Sequence, residues 1–295
     1  MLLALGAALF FTPFQVFMKA ADKGDGGALP RSVGLYTFSW SLGMAAGPFV
    51  SAFVWNRFGW QSCYALSIAL SVGTALGVFF LKHHAEEYPA PPEGTQTDRT
   101  KSKRRSAVDY SGMPDLAWLG WLCSGVGCLT VAVLRSYLPS SATVLGIPRA
   151  NQGILLALIS GSQAVTALAL CRSRMWMYKA LPIALFGICG VSALLVFSFS
   201  ADFLPLVLAS IFYGVYSGAF FFYLVFHSLV HPEHSTRYVA INESVVGFTS
   251  MLGPLLAGFL AAGLSLATPY WVSALLVLAI VAFQTSATRR VFYTG

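Results

Sequence analysis

Apolar runs of about twenty residues follow one another along this chain, and few folds can absorb them. An α-helix rises 1.5 Å per residue, so about 20 apolar residues match a hydrocarbon layer ~30 Å thick. Nine such segments can be marked, at 1–20, 33–55, 61–81, 116–134, 151–171, 180–200, 204–230, 239–263 and 267–287. Charged residues occupy only 10% of the 295 positions and apolar ones 57%, whereas a soluble domain carries about 25% charged residues. A soluble core could not hide these runs in succession. The expectation is an all-α integral membrane protein with nine transmembrane helices. The first run is not read as a signal peptide, because it lacks a basic leading region and its one charge, Lys19, stands at the wrong end.

Residues 83–115 break the pattern. They are polar, charged and rich in proline, with almost nothing to bury, and read as a cytoplasmic linker. The expected organisation is a partial helical bundle at 1–82, the linker at 83–115, and a six-helix bundle at 116–295. In a soluble protein a net charge of +7 would point to anionic partners such as nucleic acid. Here the basic residues cluster in connections, so the partner they imply is a lipid bilayer and no nucleic acid is expected. If the linker is cytoplasmic, fifteen of the eighteen Lys and Arg residues fall on its side, and only Arg57, Arg135 and Arg149 lie outside. That asymmetry places the N-terminus outside and the C-terminus in the cytoplasm, in a plasma membrane of bacterial inner-membrane type. The five cysteines (Cys63, Cys123, Cys128, Cys171 and Cys189) sit within or at the ends of apolar runs without metal-ligand spacing. They read as small apolar packers.

An internal repeat sharpens the architecture. Arg31 opens a segment, RSVGLYTFSWSLGMAAGP, in which Gly47-Pro48 follows at a fixed distance. Arg237 opens RYVAINESVVGFTSMLGP, where Gly253-Pro254 arrives at the same spacing, an offset of 206 residues or six helices. Parallel six-helix repeats are the plan of one large transporter class.

On these residues the chain resembles the major facilitator superfamily, whose members have twelve helices, cytoplasmic termini and a long loop between two six-helix halves. Arg31, Gly34, Gly43, Gly47 and Pro48 fit the family's fifth-helix signature, G-x8-G-x3-G-P-x2-G-G, with Ser51 and Ala52 in place of the last two glycines. The resemblance implies an MFS-like bundle holding three helices of the first half and all six of the second. It further implies alternating-access transport, and the signature is associated with exporters that exchange substrate for protons. The first three family helices and their acidic-basic loop have no counterpart here. The equivalent loop of the second half, Cys171-Arg172-Ser173-Arg174, keeps the basic residues but not the Gly and Asp. A fragment, a late-assigned start, or a partner or upstream segment supplying the missing helices would each account for this.

Among the acidic residues only Glu243 lies well inside an apolar run, six residues after Arg237. A carboxylate in a membrane helix faces the bundle interior or pairs with another group. Burial disfavours its charged form, so it could carry a proton through a transport cycle, or form a structural ion pair near the cytoplasmic mouth. Tyr216, Phe220, Tyr223 and His227 share one helical face. This face could line a cavity, with His227 as a second proton carrier, or serve helix packing or lipid contact. Tyr36 and Trp40 share a face with Gly43 and Gly47. The aromatic pair is a candidate for substrate contact and the glycines for close helix packing. Gln15 and Asn242 complete the candidate cavity residues, with Ser160, Ser162 and Gln163 as weaker ones. Gly120, Ser124 and Cys128 form a small-residue stripe assigned to packing. Asn242-Glu243-Ser244 matches a glycosylation sequon but lies inside a membrane helix.

No HExxH, GxSxG or phosphate-binding glycine loop occurs. The expectation is therefore no enzyme, no cofactor and no metal. The leading reading is secondary transport of a small-molecule solute, with proton-coupled export within that class. The alternative is a non-transporting assembly or scaffold component derived from a transporter fold.

Overall fold

The structure is a computed structural model that describes residue 15 and residues 28–85, 114–173, 176–177, 179–230 and 234–293. Among the described residues there are eight helices. They are α1 (Ala28–Phe58), α2 (Trp60–Ala85), α3 (Ala117–Val144), α4 (Arg149–Arg172), α5 (Ala180–Phe199), α6 (Phe203–Val230), α7 (Ser235–Gly263) and α8 (Thr268–Tyr293). Seven of them, α2 to α8, are long and apolar enough to cross a membrane. The expectation of nine spans is not matched. Segment 1–20 lies outside the described residues apart from Gln15. α1 is long enough, but Ser39, Ser41, Gly43, Gly47, Pro48 and Ser51 dilute its apolarity. The linker interior, residues 86–113, also lies outside the description.

Tight turns join successive helices. Gly59 links α1 to α2 at φ +85° and Gly146 links α3 to α4 at φ +72°, a region where only glycine sits without strain. Gln152 secures the second turn by donating to the Ile147 carbonyl at 2.8 Å and to Thr143 at 3.1 Å.

α6 stands at the centre, packed against α1, α3, α4, α5 and α7. Its polar-faced glycines let α4 approach closely: a methyl group on Gly218 would lie 2.7 Å from the Gln163 carbonyl oxygen. A buried polar chain ties the same junction together. Gln163 donates to Ser41 at 2.6 Å and accepts from Ser217 at 2.9 Å, so α1, α4 and α6 share one amide. Away from that junction, α3 packs on α7 and α5 on α8, while α2 touches α1 alone among the described elements. None of the apolar window of α2 is buried within the chain, as fits a helix facing lipid.

The helix directions alternate. Arg31, Arg172, Lys179, Arg237, Arg289 and Arg290 consequently gather at one end of the bundle, with Arg57 and Arg149 at the other. The Arg149 guanidinium lies 5.1 Å from the Trp55 ring centroid at that second end. All five cysteines are free thiols.

Candidate functional site

Four helices enclose a cavity of about 550 Å³. α1 lines it with Tyr36, Trp40 and Met44, a strict i, i+4, i+8 row. α7 lines it with Asn242, Val246 and Ser250, a row of the same spacing, joined by Glu243 and Pro254. The two rows stand at the 206-residue offset of the repeat, so equivalent faces of two related helices meet the same space. α6 contributes Phe221, Leu224 and Val225, and α3 contributes a face that includes Cys128, Arg135 and Ser136. Trp40 and Phe221 meet edge to face, with ring centroids 4.9 Å apart.

Polar groups gather around Glu243, which is half-buried. Its Oε1 accepts from Gln15 Nε2 at 2.7 Å and from Asn242 Nδ2 at 3.4 Å. Gln15 Nε2 also donates to the Tyr36 hydroxyl at 3.0 Å. The Gln15 Oε1 and Asn242 Oδ1 atoms are buried with no hydrogen-bond partner among the described residues. Arg135, also half-buried, donates from Nη2 to Ser160 Oγ at 3.3 Å.

The packing of α3 on α7 fixes how far apart these two charges stand. A methyl group on Gly125 would face Val245, and one on Gly253 would lie 2.5 Å from Ala132 Cβ. The helices therefore run parallel, with Glu243 level with Cys123, twelve residues below Arg135. Twelve residues span about 18 Å of helix axis. Both side chains lean back toward their helix N-termini, Arg135 further than the shorter Glu243, which leaves on the order of 15 Å between guanidinium and carboxylate. At that distance they attract by about 1 kcal/mol at an effective dielectric near 20. Each ion costs several kcal/mol to remove from water, so neither charge neutralises the other.

The profile of the Major Facilitator Superfamily matches residues 1–231, from the first apolar segment through α6. The chain belongs to this superfamily. It is a multi-pass membrane transporter of the major facilitator type. No curated protein and no solved structure gave a match.

In this transporter Gln15, Tyr36, Trp40, Asn242 and Glu243 come together at the cavity, but Tyr216, Tyr223 and His227 do not. Their face of α6 packs into glycine notches on its neighbours. A methyl group on Gly190 of α5 would lie 2.6 Å from the Tyr216 ring, one on Gly127 of α3 would lie 2.8 Å from Phe220, and one on Gly120 would lie 3.6 Å from His227 Cβ. Tyr223 packs on Trp176, with centroids 5.0 Å apart. Tyr223 and His227 adjoin a space of only about 10 Å³, room for a single water at most. Helix packing thus claims the aromatic stripe, and a neighbouring face of α6, roughly 100° round the helix, meets the cavity.

The signature residues divide in the same way. Arg31 and Arg237 stand in the opening turns of α1 and α7. A methyl group on Gly34 would collide with Cys171, and one on Gly253 with Ala132, whereas Gly43 and Gly47 have no described atom within 4 Å of that position. A methyl group on Gly153 of α4 would lie 3.0 Å from the Pro48 carbonyl oxygen. Arg135 was expected in an external loop. α3 instead continues past it to Val144 with Pro139 inside the helix, which brings the guanidinium into the bundle. The signal was present, since apolar residues resume at Tyr137 and Leu138 and continue to Ile147.

Proposed function

We propose that this transporter moves a small solute by alternating access through the 550 Å³ cavity, with Glu243 as the proton-carrying group. One observation carries the reading: a carboxylate inside an apolar helix lines the cavity and, among the described residues, is held only by the neutral amides of Gln15 and Asn242. Without a fixed counter-charge, it can be neutralised by a proton or by a cationic group of the solute, and exchange between the two couples their movements. Export against protons follows if both compete for the same oxygens. The basic end of the bundle is the cytoplasmic one on the positive-inside rule, which puts the start of α1 and the end of α8 on that side.

The test needs no known solute. In a variant with the five cysteines changed to serine, Ser250→Cys places one thiol in the cavity. Membrane-impermeant thiol reagents applied to either face of proteoliposomes should both modify it. An imposed pH gradient should shift the ratio of the two rates at least about fivefold, and Glu243→Gln should remove the shift. Modification from one face alone, indifferent to pH, would overturn the reading.

A further inference from the structure

The cavity holds two opposite charges that do not satisfy one another, and their placement describes what would. Glu243, with the unpartnered Asn242 Oδ1 beside it, forms an acceptor cluster at one level. Arg135, with a single described hydrogen bond to Ser160, offers a donor fork on the order of 15 Å further along the axis. Between them the walls are apolar or aromatic: Trp40, Phe221, Val131 and Val246. Trp40 stands one turn beyond Tyr36 on α1, and Tyr36 is bonded to the amide that holds Glu243. The Trp40 ring is therefore the first surface met on moving away from the carboxylate.

We infer that the solute is an elongated amphoteric molecule, with a cationic group seated at Glu243, an anionic group at Arg135 and an apolar or aromatic middle against Trp40 and Phe221. The argument is one of complementarity. A purely cationic solute would leave the Arg135 guanidinium without an anion in a site walled by apolar side chains, and a purely anionic one would offer Glu243 no cationic group to exchange for its proton. A short α-amino acid would carry both charges, but too close together to reach both ends. An extended chain spans about 3.3–3.6 Å per residue and each charged end sits about 3 Å from its partner, so three peptide units match the spacing. This inference rests on the transport reading, because it takes the cavity as the solute's place.

Four probes test it on the full chain in detergent by equilibrium binding: the tripeptide Gly-Phe-Gly, its N-acetylated form, its C-terminal amide, and free phenylalanine. The free tripeptide should bind at least about tenfold more tightly than each of the others. Glu243→Gln should erase the preference over the N-acetylated form while keeping the preference over the amide. Arg135→Gln should do the reverse. Glu243→Asp keeps the charge and should keep the full pattern, which guards against a Gln variant that fails to fold. Equal binding of all three tripeptides to the unsubstituted chain would overturn the inference, as would charge variants that weaken every probe alike. Absence of tripeptide binding alongside intact two-sided modification at Ser250→Cys would end the amphoteric assignment and leave transport standing. Loss of both would end the two together.

Discussion

α1 and α7 are two versions of one helix, and their differences say more about the site than their likeness. Both open on an arginine, both carry Gly-Pro at the same distance, and both turn the equivalent row of side chains to the cavity: Tyr36, Trp40 and Met44 against Asn242, Val246 and Ser250. The chemistry has diverged. α1 supplies aromatic and thioether surface, and α7 supplies polar groups and the only carboxylate in the cavity wall among the described residues. The position equivalent to Glu243 is Thr37, which is fully buried, with a hydroxyl that has no hydrogen-bond partner among the described residues. The packing has diverged too. Gly253 is pressed onto α3, whereas Gly47 has no described atom within 4 Å of the same position. A repeat preserves the fold and the face, while single positions within it are free to specialise.

The comparison breaks most visibly at the pair Thr37 and Glu243. Glu243→Gln should abolish the pH dependence of two-sided cavity modification, and Thr37→Val should leave it intact. Thr37→Val should also leave the thermal midpoint within a degree or two of the parent, because removing a hydroxyl without a partner is nearly neutral. If both substitutions act alike on the pH dependence, the specialisation assigned to α7 is wrong.

The Gly-Pro pair comes next. Gly253→Val must displace the α3 backbone at Ala132 and Val133, and should lower stability by about 1–3 kcal/mol. Gly47→Ala meets nothing and should raise it by up to about 1 kcal/mol through helix propensity. Thermal unfolding in one detergent measures both, and equal losses would show that the two glycines have the same role.

A smaller effect is expected at the amide shared by α1, α4 and α6. Gln163→Leu removes two hydrogen bonds and leaves Ser41 and Ser217 to find new partners, a loss of about 1–2 kcal/mol. The α7 side has no such clasp in this junction, so the destabilisation should appear as local opening of α1, read by faster backbone hydrogen exchange there than in α7. The smallest change is expected at Trp40. Phe221→Leu keeps an apolar wall and removes ring contacts with Trp40 and Phe220, each worth about 0.5–1.5 kcal/mol and partly replaced by the leucine. Its signature would be altered Trp40 fluorescence with little change in midpoint.

The helices themselves were legible in the sequence because a membrane imposes length and apolarity on each one separately. The expected 180–200 and the observed Ala180–Phe199, or 204–230 and Phe203–Val230, differ by a residue. The cavity row was legible in part, since the repeat paired α1 with α7 and the isolated acid marked Glu243. What periodicity could not supply was the neighbour. The stripe of Tyr216, Phe220, Tyr223 and His227 does lie on one face, but glycines on α3 and α5, distant in sequence, decide that this face is packed. Arg135 was hidden for a different reason. The apolar run ends at 134, and Ser136, Pro139, Ser140 and Ser141 break the hydropathy beyond it, which left the arginine in a loop. Inside the bundle the helix continues through Pro139.

The same prolines have a mechanical consequence. Pro48, Pro139 and Pro254 are the prolines inside α1, α3 and α7. Each lacks the amide hydrogen that would otherwise bond the carbonyl four residues earlier. Those carbonyls belong to Met44, Arg135 and Ser250, and all three residues line the cavity. Three of the four helical walls therefore have their weakest rung beside the space that must open and close. Bending there costs less than elsewhere along the helix, so the compliance of the wall is concentrated where a passing solute would be felt.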